Sequence, residues 1–281
     1  STGEGTSRGW IKYSGGNYQT QYTFVIYNDI LNDTKLFDVL RGNSNKEFAL
    51  RVKPNGSELD TEFLPGHVST ATMFAVEQKI YFDNTEITDW TPNSNLQQVK
   101  SVQIVQKMIG KHSADPDNPL AEIFSVHSVN SQGVSIKVKV KPLRDLYCTT
   151  GYGLMFPVKN SFAKKLFTSY GKSYDSTKTD GSSTELSEND KAISYAFLNV
   201  GGINGEPDVV VAMTVQDIYK SFRYEKTNRR SPLVWLQHRD TDMQKLYTQP
   251  FLNAVIPTGE TFEVGGTFYI GELPMAYEML S

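Results

Sequence analysis

The chain has 281 residues, a formal net charge of −3, and lysines and arginines that are scattered rather than clustered. This leaves no electrostatic footprint for a nucleic-acid backbone or an anionic membrane, so neither is an expected partner. Cys148 is the only cysteine, which rules out a disulfide within the chain and a thiolate metal cluster, and no run of about 18 apolar residues is present to insert in a membrane as a helix.

The opening segment 1–16 is polar and Gly-rich and reads as a linker entering one large domain over 17–281. Tyr18–Tyr27 begins with alternation and ends in a continuous apolar run, the pattern of a strand buried on both faces at one end. Leu36–Leu40 and Phe48–Val52 read as a hairpin closed around Gly42–Asn45, followed by a turn at Pro54-Asn55-Gly56. Val68–Val76 and Gln78–Phe82 continue the strand signals, with Asp83-Asn84 as a tight turn before Thr85–Trp90. Val99–Ile109 carries β-branched residues and an alternation that favours strand over helix. Lys111–Leu120, with two prolines and two aspartates, is a loop; its Asp115 and Asp117 lack a third acidic ligand at calcium-loop spacing. His67 and His112 fall in loop contexts and are expected to be exposed or satisfied by backbone groups.

The clearest signal lies in the middle. Val134, Ile136, Val138 and Val140 alternate with Ser135, Lys137, Lys139 and Lys141, so one face of a long strand goes to a core and the other to water. Asn130–Gly133 supplies turn chemistry, making Ile123–Val129 the expected hairpin partner. His127 sits on that partner strand, where it is a candidate to orient a sugar hydroxyl or to donate a proton. Cys148 follows among Leu146, Tyr147 and Tyr152 and reads as a small buried residue.

Phe162–Tyr170 fits a short helix or a strand, and the segment 172–190 is polar enough to be a surface loop. Ala192–Val200, Val209–Val215, Leu233–Gln237 and Thr267–Ile270 read as strands, and Ile218–Tyr224 as a helical turn. Gly201–Gly205 lacks the Lys-Ser/Thr of a phosphate loop, while Glu206 and Asp208 after it are candidate catalytic carboxylates. About 14 to 18 strands with few short helices predict an all-β fold of two large antiparallel sheets packed face to face.

Near the end, Trp235, Gln237 and Arg239 share one face of a strand, with His238 between them. An indole beside planar donors suits a saccharide, whose ring stacks on the aromatic while its hydroxyls meet polar groups. The alternative is a packed Trp with a surface Arg-Asp pair.

The hairpin ending in Ser131-Gln-Gly-Val-Ser-Ile-Lys-Val, with Gly151-Tyr-Gly-Leu-Met-Phe-Pro after it, resembles the β-super-sandwich of galactose-mutarotase-like proteins. The closing stretch from Tyr247-Thr-Gln249 through Pro257-Thr-Gly-Glu is similar to the end of aldose 1-epimerases. The resemblance implies a sugar-shaped groove near Tyr247 and Gln249. It also places the epimerase base at the residue before Thr-Gln, which is Tyr247 here, and a phenol protonated near neutral pH is no ready base. The expectation is therefore a carbohydrate-recognition β-sandwich module whose partner is a glycan or polysaccharide. It would belong to a larger secreted, surface or phage-tail chain or to a homo-oligomer, and no cofactor or metal is expected. Two alternatives stay open: a carbohydrate-active enzyme using His127 with Tyr247 or Glu206, and a structural assembly domain.

Overall fold

The computed structural model describes residues 7–14, 19–29, 34–38, 49–66, 72–88, 99–130, 133–186, 194–198, 209–215, 234–239 and 243–272, with backbone alone before residue 49 and at 209–211, 215 and 270–272. Among these residues there are 21 strands and no helix, and every pairing is antiparallel. A three-stranded sheet holds β1 (Ser7–Ser14), β2 (Gln19–Asp29) and β3 (Thr34–Asp38), so the segment expected to be linker-like contains a strand.

A ten-stranded sheet forms one layer of the sandwich. Its order is β14 (Ser173–Asp175), β13 (Lys165–Thr168), β16 (Ser194–Leu198), β17 (Val209–Val215), β21 (Phe262–Glu272), β10 (Gly133–Pro142), β9 (Ala121–Asn130), β8 (Ser101–Gly110), β6 (Met73–Phe82) and β7 (Thr85–Glu86). The expected central hairpin is present: Val134 pairs with Val129 and Val140 with Ile123. Gly133 is required at its turn, because it has φ +132° and a Cβ there would lie 2.0 Å from the Phe268 carbonyl oxygen. Asp83 and Asn84 both adopt positive φ, as a two-residue turn demands.

Two four-stranded sheets form the facing layer. One runs β20 (Phe251–Ile256), β11 (Leu146–Tyr152), β4 (Ala49–Pro54), β5 (Glu62–Leu64); the other runs β12 (Met155–Val158), β19 (Met243–Thr248), β18 (Val234–Arg239), β15 (Ser183–Glu185). One core lies between the layers. It joins Val134, Ile136, Val138 and Val140 of β10 to Leu50 and Val52 of β4, Leu146 and Cys148 of β11, and Leu236 and Leu246 of β18 and β19. Phe156 stacks on Phe268 with centroids 4.4 Å apart, and Phe251 meets Phe262 edge-on at 5.0 Å, so each small sheet is pinned to β21 by an aromatic pair.

Two expectations are corrected, and one open choice between helix and strand is resolved. Leu36–Leu40 and Phe48–Val52 do not pair with each other: β3 pairs with β2, while β4 pairs with β11 and β5. A local turn signal lost to long-range partners that bury Leu50 and Val52 on both flanks. The polar segment 172–190 supplies β14 and β15, one at each layer's edge, where few apolar residues are needed. Phe162–Tyr170 resolves as strand β13, which buries Leu166 in the core. The helical turn expected at Ile218–Tyr224 lies outside the described residues.

Candidate functional site

The site is built by strand alternation in the two small sheets. In β18, Val234, Leu236 and His238 are buried while Trp235, Gln237 and Arg239 reach the other face; in β19, Gln244, Leu246 and Thr248 are buried while Lys245 and Tyr247 reach it. The register sets Trp235 directly opposite Tyr247 and Gln237 opposite Lys245. β11 and β5 bring Tyr152 and Phe63 to the same outer face, and β4 brings the exposed Arg51.

These side chains form one continuous strip. The Tyr152 and Tyr247 rings meet edge-on at 5.1 Å, Tyr152 and Phe63 are near parallel at 6.5 Å, and Arg51 lies 5.7 Å from the Phe63 ring centre. The Lys245 ammonium sits 5.3 Å from the centre of each tyrosine ring, within cation–π range of both. Burial, helped by the Arg239 guanidinium, holds its pKa below the usual lysine range. The Trp235 indole N–H donates to Gln249 Oε1 at 3.0 Å, and Gln249 Nε2 donates to Thr150 Oγ1 at 3.0 Å. That relay crosses from one small sheet to the other and fixes the amide's orientation. Chemically, the strip offers aromatic faces, an amide, a hydroxyl and cations, and the described residues place no carboxylate between Lys245 and the tyrosines.

The remaining expected residues are elsewhere. His238 lies on the opposite face of β18 in a buried network. Its Nδ1 bonds Gln244 Oε1 at 2.6 Å and its Nε2 bonds Thr184 Oγ1 at 2.8 Å, while Gln244 Nε2 donates to Asn160 Oδ1 and the Lys178 carbonyl. With the proton on Nδ1, both ring nitrogens of His238 are satisfied, and the group holds β15 and the loop before it to β18. His127 is only 1% exposed on β9, on the core-facing side of the ten-stranded sheet between Ile104 and Ile136, with the buried Ser125–Gln106 pair one row away. Tyr247 points out of the other layer, so the structure does not bring His127 and Tyr247 together. Glu206 and His67 lie outside the described residues.

His112 is buried, with Nε2 on the Asp60 carbonyl and Nδ1 accepting from the Ala114 N–H, as a loop histidine satisfied by backbone groups. The Asp115 carboxylate is engaged by Asn118 and Arg144. Burial pushes the Cys148 thiol up to about 12, which makes it inert as a nucleophile. Sequence reasoning assembled Trp235, Gln237, Arg239, Tyr247 and Gln249 but missed Lys245, Tyr152, Phe63, Arg51 and Thr150. Alternation back from Tyr247 points to Lys245; the others arrive through pairings of strands far apart in sequence.

No family model matches the chain, and no curated protein matches it. Solved structures superpose over 94% of its length at low identity. They include the galactosidase domain of an α-galactosidase–sucrose kinase, AgaSK, with a TM-score of 0.48, 8% identity and 42% of that chain covered. The GH36 α-galactosidase AgaA from Geobacillus stearothermophilus aligns with a TM-score of 0.46, 6% identity and 41% of its chain covered. The α-N-acetylgalactosaminidase NagBb from Bifidobacterium bifidum aligns with a TM-score of 0.48, 8% identity and 35% covered. The chain thus spans less than half the length of each of these structures, and it is similar to one part of them.

Proposed function

We propose that this chain is a carbohydrate-recognition β-sandwich module and that the outer face of its two small sheets is the sugar-binding surface. The observation that carries this reading is the line of ring-bearing residues Phe63, Tyr152, Tyr247 and Trp235 running across both sheets, flanked by Gln249, Gln237 and the cations Lys245 and Arg51. A sugar ring needs an apolar face against its C–H groups and planar polar groups at its rim, and the strip supplies both on a rigid scaffold. Binding is favoured over turnover because His127 and Tyr247, the two described members of the expected catalytic set, serve different layers of the sandwich.

Glycan-array binding of the wild-type chain and of Trp235→Ala and Tyr152→Ala tests the reading. Both variants are expected to lose about tenfold or more in affinity while keeping the wild-type circular dichroism spectrum. Wild-type binding in both would remove the strip from consideration. A second reading, assembly with another chain, is favoured by β20, an edge strand exposing Leu252 at 41% and Val255 at 46%. Val255→Lys separates the two, since Val255 is on the edge strand opposite Tyr147, five residues along β11 from Tyr152 of the aromatic strip.

A further inference from the structure

On the outer face of β18 and β19, Arg239 lies diagonal to Lys245, with Gln237 directly across from the lysine. The two cations are close enough for Arg239 to depress the lysine's pKa, and the ammonium is also desolvated against Tyr152 and Tyr247. The described residues include ion pairs for Lys79, Lys107, Lys141 and Arg144, and none for Lys245 or Arg239. Among the described residues, the nearest acid in the register is Glu185, opposite Trp235 on β15, two strand spacings across and two residues along from Lys245, roughly 12 Å away. A half-buried cation with a second cation beside it and no counter-charge among the described residues is an unfavourable arrangement, and an anion seated there relieves both desolvation and repulsion.

We infer that the sugar-binding face takes an acidic glycan, with the carboxylate or sulfate ester of one residue held between Lys245 and Arg239. Gln237 donates from the side, and the neighbouring sugar ring lies on Tyr152 and Tyr247. This rests on the reading of the strip as a glycan site and names the class of glycan it accepts. Arg239 supplies a planar fork for two anion oxygens and Lys245 a point charge fixed by the two rings. The chain's own net charge of −3 repels polyanions in general, so recognition has to come from this local pair and from stacking.

The test is titration calorimetry of the full chain with three oligosaccharides of equal length, one of galacturonate, one of sulfated galactose and one of neutral galactose, alongside Lys245→Gln and Arg239→Gln. In parallel, the Lys245 Nζ resonance is followed during titration with sodium sulfate. The expected result is that one or both acidic oligosaccharides bind, and that each variant weakens that binding about tenfold. Binding should also fall between about 50 and 500 mM NaCl, and the neutral oligosaccharide should be hardly affected by either variant. Which acidic arm binds distinguishes carboxylate from sulfate ester. Equal binding of neutral and acidic oligosaccharides, unchanged in Lys245→Gln, would overturn the acidic class and leave the sugar face standing. If sulfate shifts the Lys245 resonance but no oligosaccharide binds, the glycan reading is overturned and an anion site is what remains. Absence of both signals would sink both.

Discussion

The Trp235 indole N–H and the Gln249 amide oxygen are 3.0 Å apart, and through Gln249 the indole is tied to Thr150 on the neighbouring sheet. The orientation of the largest aromatic in the strip therefore depends on one amide. Gln249→Leu keeps the volume but removes both bonds, leaving a half-buried indole N–H without its acceptor. The expected cost is about 1 kcal/mol of unfolding free energy, read from the shift in urea midpoint. Glycan affinity is expected to fall several-fold, read by calorimetry; an affinity equal to wild type would mean that the indole's orientation does not matter.

Phe156 and Phe268 stack at 4.4 Å and 20°, and Phe156 also meets Phe197 at 6.4 Å. All three are fully buried, so this cluster joins the β12–β19 sheet to the ten-stranded layer. Phe156→Ala is expected to destabilise the fold by about 3 to 5 kcal/mol. Chemical denaturation measures it, and a loss below about 1 kcal/mol would show that the layers are held elsewhere.

Gln244 is the hub of the buried network, accepting from His238 and donating to Asn160 and the Lys178 carbonyl. Gln244→Leu strands three polar groups at once, so a loss of about 2 to 4 kcal/mol is expected. Because β15 is attached to β18 through this region, hydrogen exchange should accelerate first over 176–186. Uniform acceleration across the domain would contradict a local anchoring role.

Asp145 Oδ1 accepts from both the Thr258 N–H and the Thr258 hydroxyl at 2.7 Å, and these bonds hold its carboxyl below the usual carboxylate range. Asp115, Asp175 and Asp180 are lowered in the same way by bonds from Asn118 and Arg144, from Thr177 and from Ser182. A lowered folded pKa contributes stability that is complete above the unfolded aspartate value of about 3.9 and is lost as pH falls through the folded value. The urea midpoint should be flat near neutrality and decline from about pH 4 downwards. Asp145→Asn should start lower at neutral pH and decline less steeply.

How much of this was legible in the chain depends on the range of each interaction. The central hairpin could be read because its alternation and its turn lie within twenty residues of Val134 and Val129, and the shared face of Trp235, Gln237 and Arg239 follows from period two alone. The partner of β4 could not: Cys148 pairs with Val52 across most of a hundred residues, and the turn-like Gly42–Asn45 offered a nearer, wrong solution. The site was half legible for the same reason. Tyr247 and Trp235 meet through a tight hairpin, whereas Tyr152 reaches Tyr247 only because β11 and β12 enter different small sheets in succession. His127 shows the limit of pattern reading: a candidate to orient a sugar hydroxyl, it is instead 1% exposed on the core-facing side of β9, and alternation carries no information about which side chains in the other layer it can meet.

The electrostatics of Lys245 set the pH range over which the site can work. Its folded pKa is lowered by burial first and by Arg239 second, so it loses its charge at a pH below that of an ordinary lysine, near 10.4. An anion between Lys245 and Arg239 favours the charged lysine, so binding must take up a proton wherever the free site has begun to lose one. Affinity for an acidic oligosaccharide is therefore expected to weaken on the alkaline side before bulk lysines titrate. Lys245→Arg retains the charge throughout and should flatten that alkaline limb even if its absolute affinity is lower. Calorimetry in two buffers of different ionisation enthalpy measures the proton uptake directly; no uptake at the pH where affinity declines would mean that another group controls the limb.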